Sequence, residues 1–204
     1  MTRKNMKANA KKLFRSHYDT TLLTVFLTLV ISIGANSVIP LVGGILVLPI
    51  FVGRSRVFLD VARGEDARID SLLETFKTGY AEKVLTLFLR NLFIFLWTLL
   101  LIVPGIIKMF SYALVPFILA ESSFDPTKQK AIDESRRMMD GHKMELFVIY
   151  LSFIGWYLLG MLTLGILNIL YVEPYVQQTV ALFYEKVKEE KGLISDTSHP
   201  MIEG

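Results

Sequence analysis

Few residue types in this sequence could carry chemistry. Cysteine is absent, which excludes thiol nucleophiles, disulfides and thiolate metal sites. His17, His142 and His199 stand alone, and none falls in an H-x-x-x-H or H-E-x-x-H spacing that would set ligands on one helix face. Gly-x-Ser-x-Gly, a His-Glu pair and a glycine-rich phosphate loop are all missing, so neither a nucleophile-base pair nor an ATP-hydrolysing loop is available. The expectation is a protein without enzymatic activity, cofactor or metal. What remains is a pair of charges in apolar surroundings, Lys108 and Glu173. Charge within a membrane segment is costly and marks a functional suspect. The two could pair with each other, or Lys108 could extend its stem to the headgroups while Glu173 caps a local break before Pro174.

The elements that must position these residues are written in the charge pattern. Hydrophobic residues make up 52% of the chain and charged residues 20%, more apolar surface than a soluble core of this size needs. No charge occurs from Thr20 to Gly53, Asn91 to Ile107, Met109 to Ala120, Leu146 to Val172 or Pro174 to Tyr184. A crossing helix needs about 20 apolar residues. Breakers interrupt the long runs near Asn36 to Gly44, at Val103-Pro104-Gly105 and at Thr163-Leu164-Gly165. The reading is an all-α, polytopic membrane helical bundle of about six segments arranged as three hairpins: 20–39, 41–58, 84–103, 105–120, 144–164 and 166–184. Residues 1–190 form a single membrane-embedded domain, and 191–204 a flexible polar tail. The segment at 41–58 is short enough that it could re-enter instead of crossing.

The hairpins resemble one another. Gly44-Ile45, Gly105-Ile106 and Gly165-Ile166 each open a second arm, and each second arm carries a proline, at Pro49, Pro116 and Pro174. Together with Pro104, these are the expected turns and kinks. A proline frees a carbonyl, which within a membrane must find another donor. The kinks could open a cavity or only fit the helices together.

Lys and Arg decide the orientation. Arg3 to Arg15, Arg54 to Lys83, Lys128 to Lys143 and Lys186 to Lys191 hold the positive charge, and all four groups share one side of a three-hairpin bundle. The positive-inside rule makes that side cytoplasmic, with both termini there. The net charge of +3 is spread in short groups between apolar runs, which suits anionic headgroups and not nucleic acid. Membrane lipids are therefore the expected partners, with a membrane protein or a second copy also open. Two connections read as amphipathic helices in the interface plane. In the first, Ile69, Leu72, Leu73, Phe76 and Tyr80 share a face behind a Ser71-x-x-Glu74 capping box. The second starts with Asp125 and Pro126, ends at Gly141, and carries a stripe of Ala131, Ile132, Ser135, Met138 and Met139. Arg90 reads as an anchor reaching the headgroups.

Four blocks in order carry a family resemblance: Leu101-Ile102-Val103-Pro104-Gly105-Ile106-Ile107-Lys108, Ser135-Arg136-Arg137-Met138-Met139-Asp140-Gly141-His142-Lys143, Leu151-Ser152-Phe153-Ile154-Gly155-Trp156, and Pro174-Tyr175 with Phe183-Tyr184. The chain resembles the domain of unknown function 975 family of bacterial integral membrane proteins, over nearly its whole length to about Glu190. The resemblance implies a multi-span protein of the bacterial inner membrane and supplies no catalytic residues. The Pro-Gly-Ile turn and Ser-Arg segment are also similar, more faintly, to the membrane domain attached to some glycerophosphodiester phosphodiesterases, whose hydrolytic domain has no counterpart here. Two function classes follow: a lipid- or partner-binding scaffold or accessory subunit, and a small transporter or channel with a polar path near Lys108 and Glu173. The topology is directly testable. Reporter fusions after Gly43, Gly105 and Gly165 should read outside, and fusions after Glu65, Asp125 and Glu190 inside; an inside signal at Gly105 would break the three-hairpin arrangement.

Overall fold

The computed structural model describes residues 2–38, 44–45, 47–77, 79–121 and 131–192, and every regular element among them is helical. In chain order these are α1 (Arg3–Ser16), α2 (Tyr18–Val38), α3 (Pro49–Arg63), α4 (Asp70–Glu74), α5 (Tyr80–Leu100), α6 (Ile102–Ser111), α7 (Val115–Ala120), α8 (Ala131–Met138), α9 (Lys143–Leu151), α10 (Ile154–Leu162), a π-helical turn (Asn168–Val172) and α11 (Glu173–Glu190). Four stretches among the described residues are long and apolar enough to span a membrane: Tyr18–Ala35, Tyr80–Leu100, Ile102–Ala120 and Lys143–Leu162. They mark an all-helical membrane protein. The second arms of the first and third hairpins are not among them, because α3 has only 15 residues and α11 turns charged toward its end.

Proline explains how the second arms are built. Pro49, Pro116 and Pro174 each occupy the first turn of a helix, α3, α7 and α11, where a missing N–H costs nothing and a fixed φ favours helix entry. They act as helix starts, not as kinks within continuous helices. Each leaves the carbonyl four residues earlier without its helical donor, and each of those carbonyls is satisfied differently. Leu48 N donates to Ile45 O at 3.2 Å. The Arg90 Nε donates to Tyr112 O at 2.9 Å, with Val115 N also at 3.3 Å. The Tyr18 hydroxyl donates to Leu170 O at 3.4 Å. Arg90 therefore reaches across to a broken helix, not out to the headgroups.

The hairpin tips differ from the sequence reading. Between α5 and α6 the turn is one extended residue, Leu101 (φ −157°, ψ 132°), so Pro104 and Gly105 lie inside the first turns of α6. Gly105 serves close packing: a Cβ there would sit 2.7 Å from Thr98 Cα on α5. Gly165 does form a turn, at φ 83°, in a left-handed conformation that glycine adopts without penalty. The turn expected near Asn36 to Gly44 lies largely outside the described residues.

Burial separates inner from outer arms. In α3 and α11 the central residues are buried, Val57, Phe58, Leu59, Val176, Val180 and Phe183 among them. In the 21 residues of α5 only Leu87 is buried, and Phe95, Leu99 and Leu100 stand open. Such apolar exposure suits lipid contact. On α2 the buried face is a stripe of Thr21, Thr24 and Thr28, whose hydroxyls bond back to His17 O, Thr20 O and Thr24 O at 2.9, 2.7 and 2.7 Å. Small self-satisfied side chains let α2 approach α3 and the π-helical turn closely.

Of the two amphipathic connections, α8 keeps its stripe: Ala131, Ser135, Met138 and Met139 are buried, and the Ser135 hydroxyl donates to Ser111 O at 2.8 Å. Its proposed start at Asp125 and Pro126 lies outside the described residues. The first connection is shorter than expected. α4 spans Asp70–Glu74, Leu73 faces out at 56% exposure, and no side chain caps the N-terminus, so the Ser71-x-x-Glu74 box does not form. Leu72 drives in, fully buried against α3, with Ile69 and Phe76 partly buried in the same cluster. An element unmarked in the sequence reading is α1, which buries Met6, Ala10, Leu13 and Phe14 at helical spacing behind a Thr2 cap. The α3–α4 contact is testable at Gly53, where a Cβ would lie 2.7 Å from Leu72 Cα and 2.9 Å from Thr75 Oγ1. Gly53→Ala should destabilise by about 1–3 kcal/mol through overpacking. Gly34→Ala, with open space around it, should be neutral or gain up to about 1 kcal/mol of helix propensity; thermal unfolding in detergent compares them.

Candidate functional site

The charges fall into two layers. At the far end of the inner arms, Arg63 closing α3 meets Glu121 after α7 and Glu185 on α11, the latter at 2.8 Å. Lys188 adds a second contact to Glu121 at 2.9 Å, and the Tyr184 hydroxyl donates to the same carboxylate at 3.2 Å. Beneath them Phe117 and Tyr184 stack with centroids 5.8 Å apart. One cation thus fastens the ends of all three second arms. Burial alone would raise the Glu121 pKa, but hydrogen bonds from Lys188 and Arg63 outweigh it and hold the carboxyl below its ordinary value. Asp60 shifts the other way: burial pushes it up to about 6, with Arg56 opposing.

The second layer lies about 14 Å back along α3, nine residues at the helical rise. There Arg54 Nη1 is 3.1 Å from Glu173 Oε1, and Gln177 Nε2 donates to the same oxygen at 3.0 Å. The structure does not bring Lys108 and Glu173 together. The Lys108 ammonium lies 4.9 Å from the Trp97 ring centroid, near the α5–α6 tip, a cation–π contact. Glu173 is not at that end. Two residues on, the Tyr175 hydroxyl donates to Lys7 O of α1 at 3.0 Å, so Glu173 lies level with the basic N-terminal helix. Sequence alone could not find Arg54 as the partner, since it is 119 residues away in the chain and reads as one more cation in a basic connection.

Beside this pair is a cavity of about 290 Å³ to which every hairpin contributes. Arg54 and Ser55 enter from α3, Arg90 and Asn91 from α5, Tyr150 from α9 and Gln177 from α11, with Pro116 at the break before α7. Its lining holds two guanidinium groups and no carboxylate. The Arg54 Nε is buried without a hydrogen-bond partner. Arg90 spends Nε on Tyr112 O and places Nη1 3.4 Å from Asn91 Oδ1. Among the described residues no group of three or more His, Asp or Glu side chains is placed to hold a metal ion.

The Arg63 junction yields a prediction. Arg63→Met leaves two half-buried carboxylates with only Lys188 on Glu121 to offset them and should cost about 1–3 kcal/mol, while Arg63→Met combined with Glu185→Gln, which leaves the Lys188–Glu121 pair intact, should recover most of the loss. Because the folded pKa of Glu121 is depressed, its contribution to stability is complete above its unfolded value of 4.5 and is lost as pH falls. Acid melts of wild type against Glu121→Gln isolate that contribution, since Asp60 acts equally in both.

No curated protein and no solved structure matches this chain. A family model does match, over residues 99–191, from the end of α5 to the end of α11; the first hairpin, included in the resemblance read from the sequence, lies outside that match. Over this stretch, which holds the four motif blocks, the chain matches the family described as "Protein of unknown function (DUF975)".

Proposed function

We propose that the protein is a non-catalytic membrane scaffold or accessory subunit that binds lipid, with six membrane segments in three hairpins and both termini on the cytoplasmic side of the bacterial cell membrane. The observation that carries the choice between scaffold and transporter is the engagement of the two deep charges. Glu173 is taken by Arg54 and Gln177, and Lys108 by the face of Trp97, so neither stands as a free station on a polar path. The exposed apolar faces of α5 and α10 and the basic face of α1 fit a protein that works by contact with the bilayer. The transporter reading has one observation in its favour, the cavity beside the ion pair.

The test uses the pair itself. Arg54→Met or Glu173→Gln alone leaves an uncompensated, partly buried charge and should lower folded yield, at a cost of about 1–3 kcal/mol. The double variant should regain it. Wild-type protein in liposomes should pass no protons, cations or labelled lipid above empty vesicles. A flux present in wild type and abolished in the folded double variant would replace the scaffold with a transporter.

A further inference from the structure

We propose that the cavity between Arg54 and Arg90 is a binding site for a single oxyanion group, phosphate or carboxylate in type, presented by an anionic amphiphile. The inference rests on the lipid-binding reading and names its ligand chemistry. Two guanidinium groups enter the cavity from different hairpins, and its lining contains no carboxylate. The carboxylate that partly neutralises them, Glu173, is held outside the lining by one terminal nitrogen of Arg54. One net positive charge therefore remains. A guanidinium has five N–H donors in a planar fork suited to oxyanions. The Arg54 Nε is buried and idle, and among the described residues Arg90 Nη2 has no hydrogen-bond partner. Asn91 and Gln177 add amide groups at the wall, the usual small set of polar groups in a ligand site. The volume is at the lower edge of the roughly 300–1,000 Å³ typical of small-molecule sites, enough for a headgroup fragment and not for a whole lipid.

Proximity to the basic helix α1 points to an anionic amphiphile as the source. Tyr150, on the cavity wall, is two residues from Ser152, whose Oγ accepts from Lys7 Nζ at 2.9 Å. On the other side, Glu173 is two residues from Tyr175, bonded to Lys7 O. The cavity thus lies close to α1, whose apolar face packs on the protein core and whose other face exposes Arg3, Lys4, Lys12 and Arg15. Such a group of exposed cations draws anionic lipid to this part of the bundle. Arg90 has one role already, capping the carboxyl-side break at Tyr112 O, so its anchoring there also fixes the fork that faces the ligand.

The experiment is a thermal-shift and native mass-spectrometry titration of the full chain in uncharged detergent, with phosphatidylglycerol, phosphatidylcholine or inorganic phosphate as probes. Phosphatidylglycerol should raise the unfolding temperature and be retained, and phosphatidylcholine should do neither. Glu173→Gln removes the competing carboxylate and should tighten phosphatidylglycerol binding. Arg54→Gln with Glu173→Gln, which keeps the fold neutral at this layer, should weaken it at least about tenfold, the size expected for a lost charge-assisted hydrogen bond. Ala113→Met, filling the cavity without touching charge, should also weaken it, while Arg15→Gln on the surface should not. Two opposite shifts from the two Glu173 variants are something a merely structural ion pair would not produce. If phosphatidylglycerol binds equally to wild type, the double variant and Ala113→Met, the cavity proposal falls and the lipid-binding reading stands. A response to inorganic phosphate alone keeps the oxyanion site and removes the lipid. Absence of any response overturns both.

Discussion

A backbone carbonyl inside hydrocarbon has no water to accept from, so any break in a helix must be answered by another donor from the protein. This chain places a proline in the second arm of each hairpin and thereby frees Ile45 O, Tyr112 O and Leu170 O. The answers, from Leu48 N, Arg90 Nε and the Tyr18 hydroxyl, differ in cost. A local amide binds no elements together. The tyrosine joins α2 to the π-helical turn, and the arginine joins the α5 arm to the α6–α7 break, so the repair of the backbone also fixes the tertiary arrangement. Arg90 is the consequential case, because satisfying the carbonyl brings a full positive charge into the bundle beside Arg54.

From that arrangement follows a division of labour between arms. The helices that start at proline, α3, α7 and α11, bury most of their apolar side chains and end in the ionic junction around Arg63. The first arms and tips keep their large apolar residues outside. Ion pairs in such a position contribute to uniqueness more than to net stability, since desolvation offsets much of the attraction. Their effect here is geometric: Arg63 holds α3, α7 and α11 in one register, and Arg54 with Glu173 repeats the tie one layer back.

Residue-level reading succeeded where the signal was local. The charge-free gaps marked the apolar helices, the stripe from Ala131 to Met139 marked the buried face of α8, and the four motif blocks led to the family that residues 99–191 match. It failed where two faces compete. Leu72 and Leu73 both fit a helical stripe, but only Leu72 meets Gly53, whose missing side chain makes the space. The helix α1 was hidden because six cations spread along it obscure four apolar positions at the right spacing, and Pro104-Gly105 looked like a turn although the chain reverses at Leu101.

Composition and periodicity by themselves determined that this is a helical membrane protein with its charge gathered in four groups, because hydrophobic length and charge placement are properties of short segments. Which charges meet was decided only by the tertiary structure. Glu173 had Lys108 as an arithmetically reasonable partner, yet the π-helical turn and Pro174 set α11 so that its first turn lies beside α3 and α1. Arg54, Arg90 and Gln177, separated by 36 and 87 residues along different arms, converge only once the hairpins have packed. An ion pair depends on distance in space, and sequence separation carries almost no information about it.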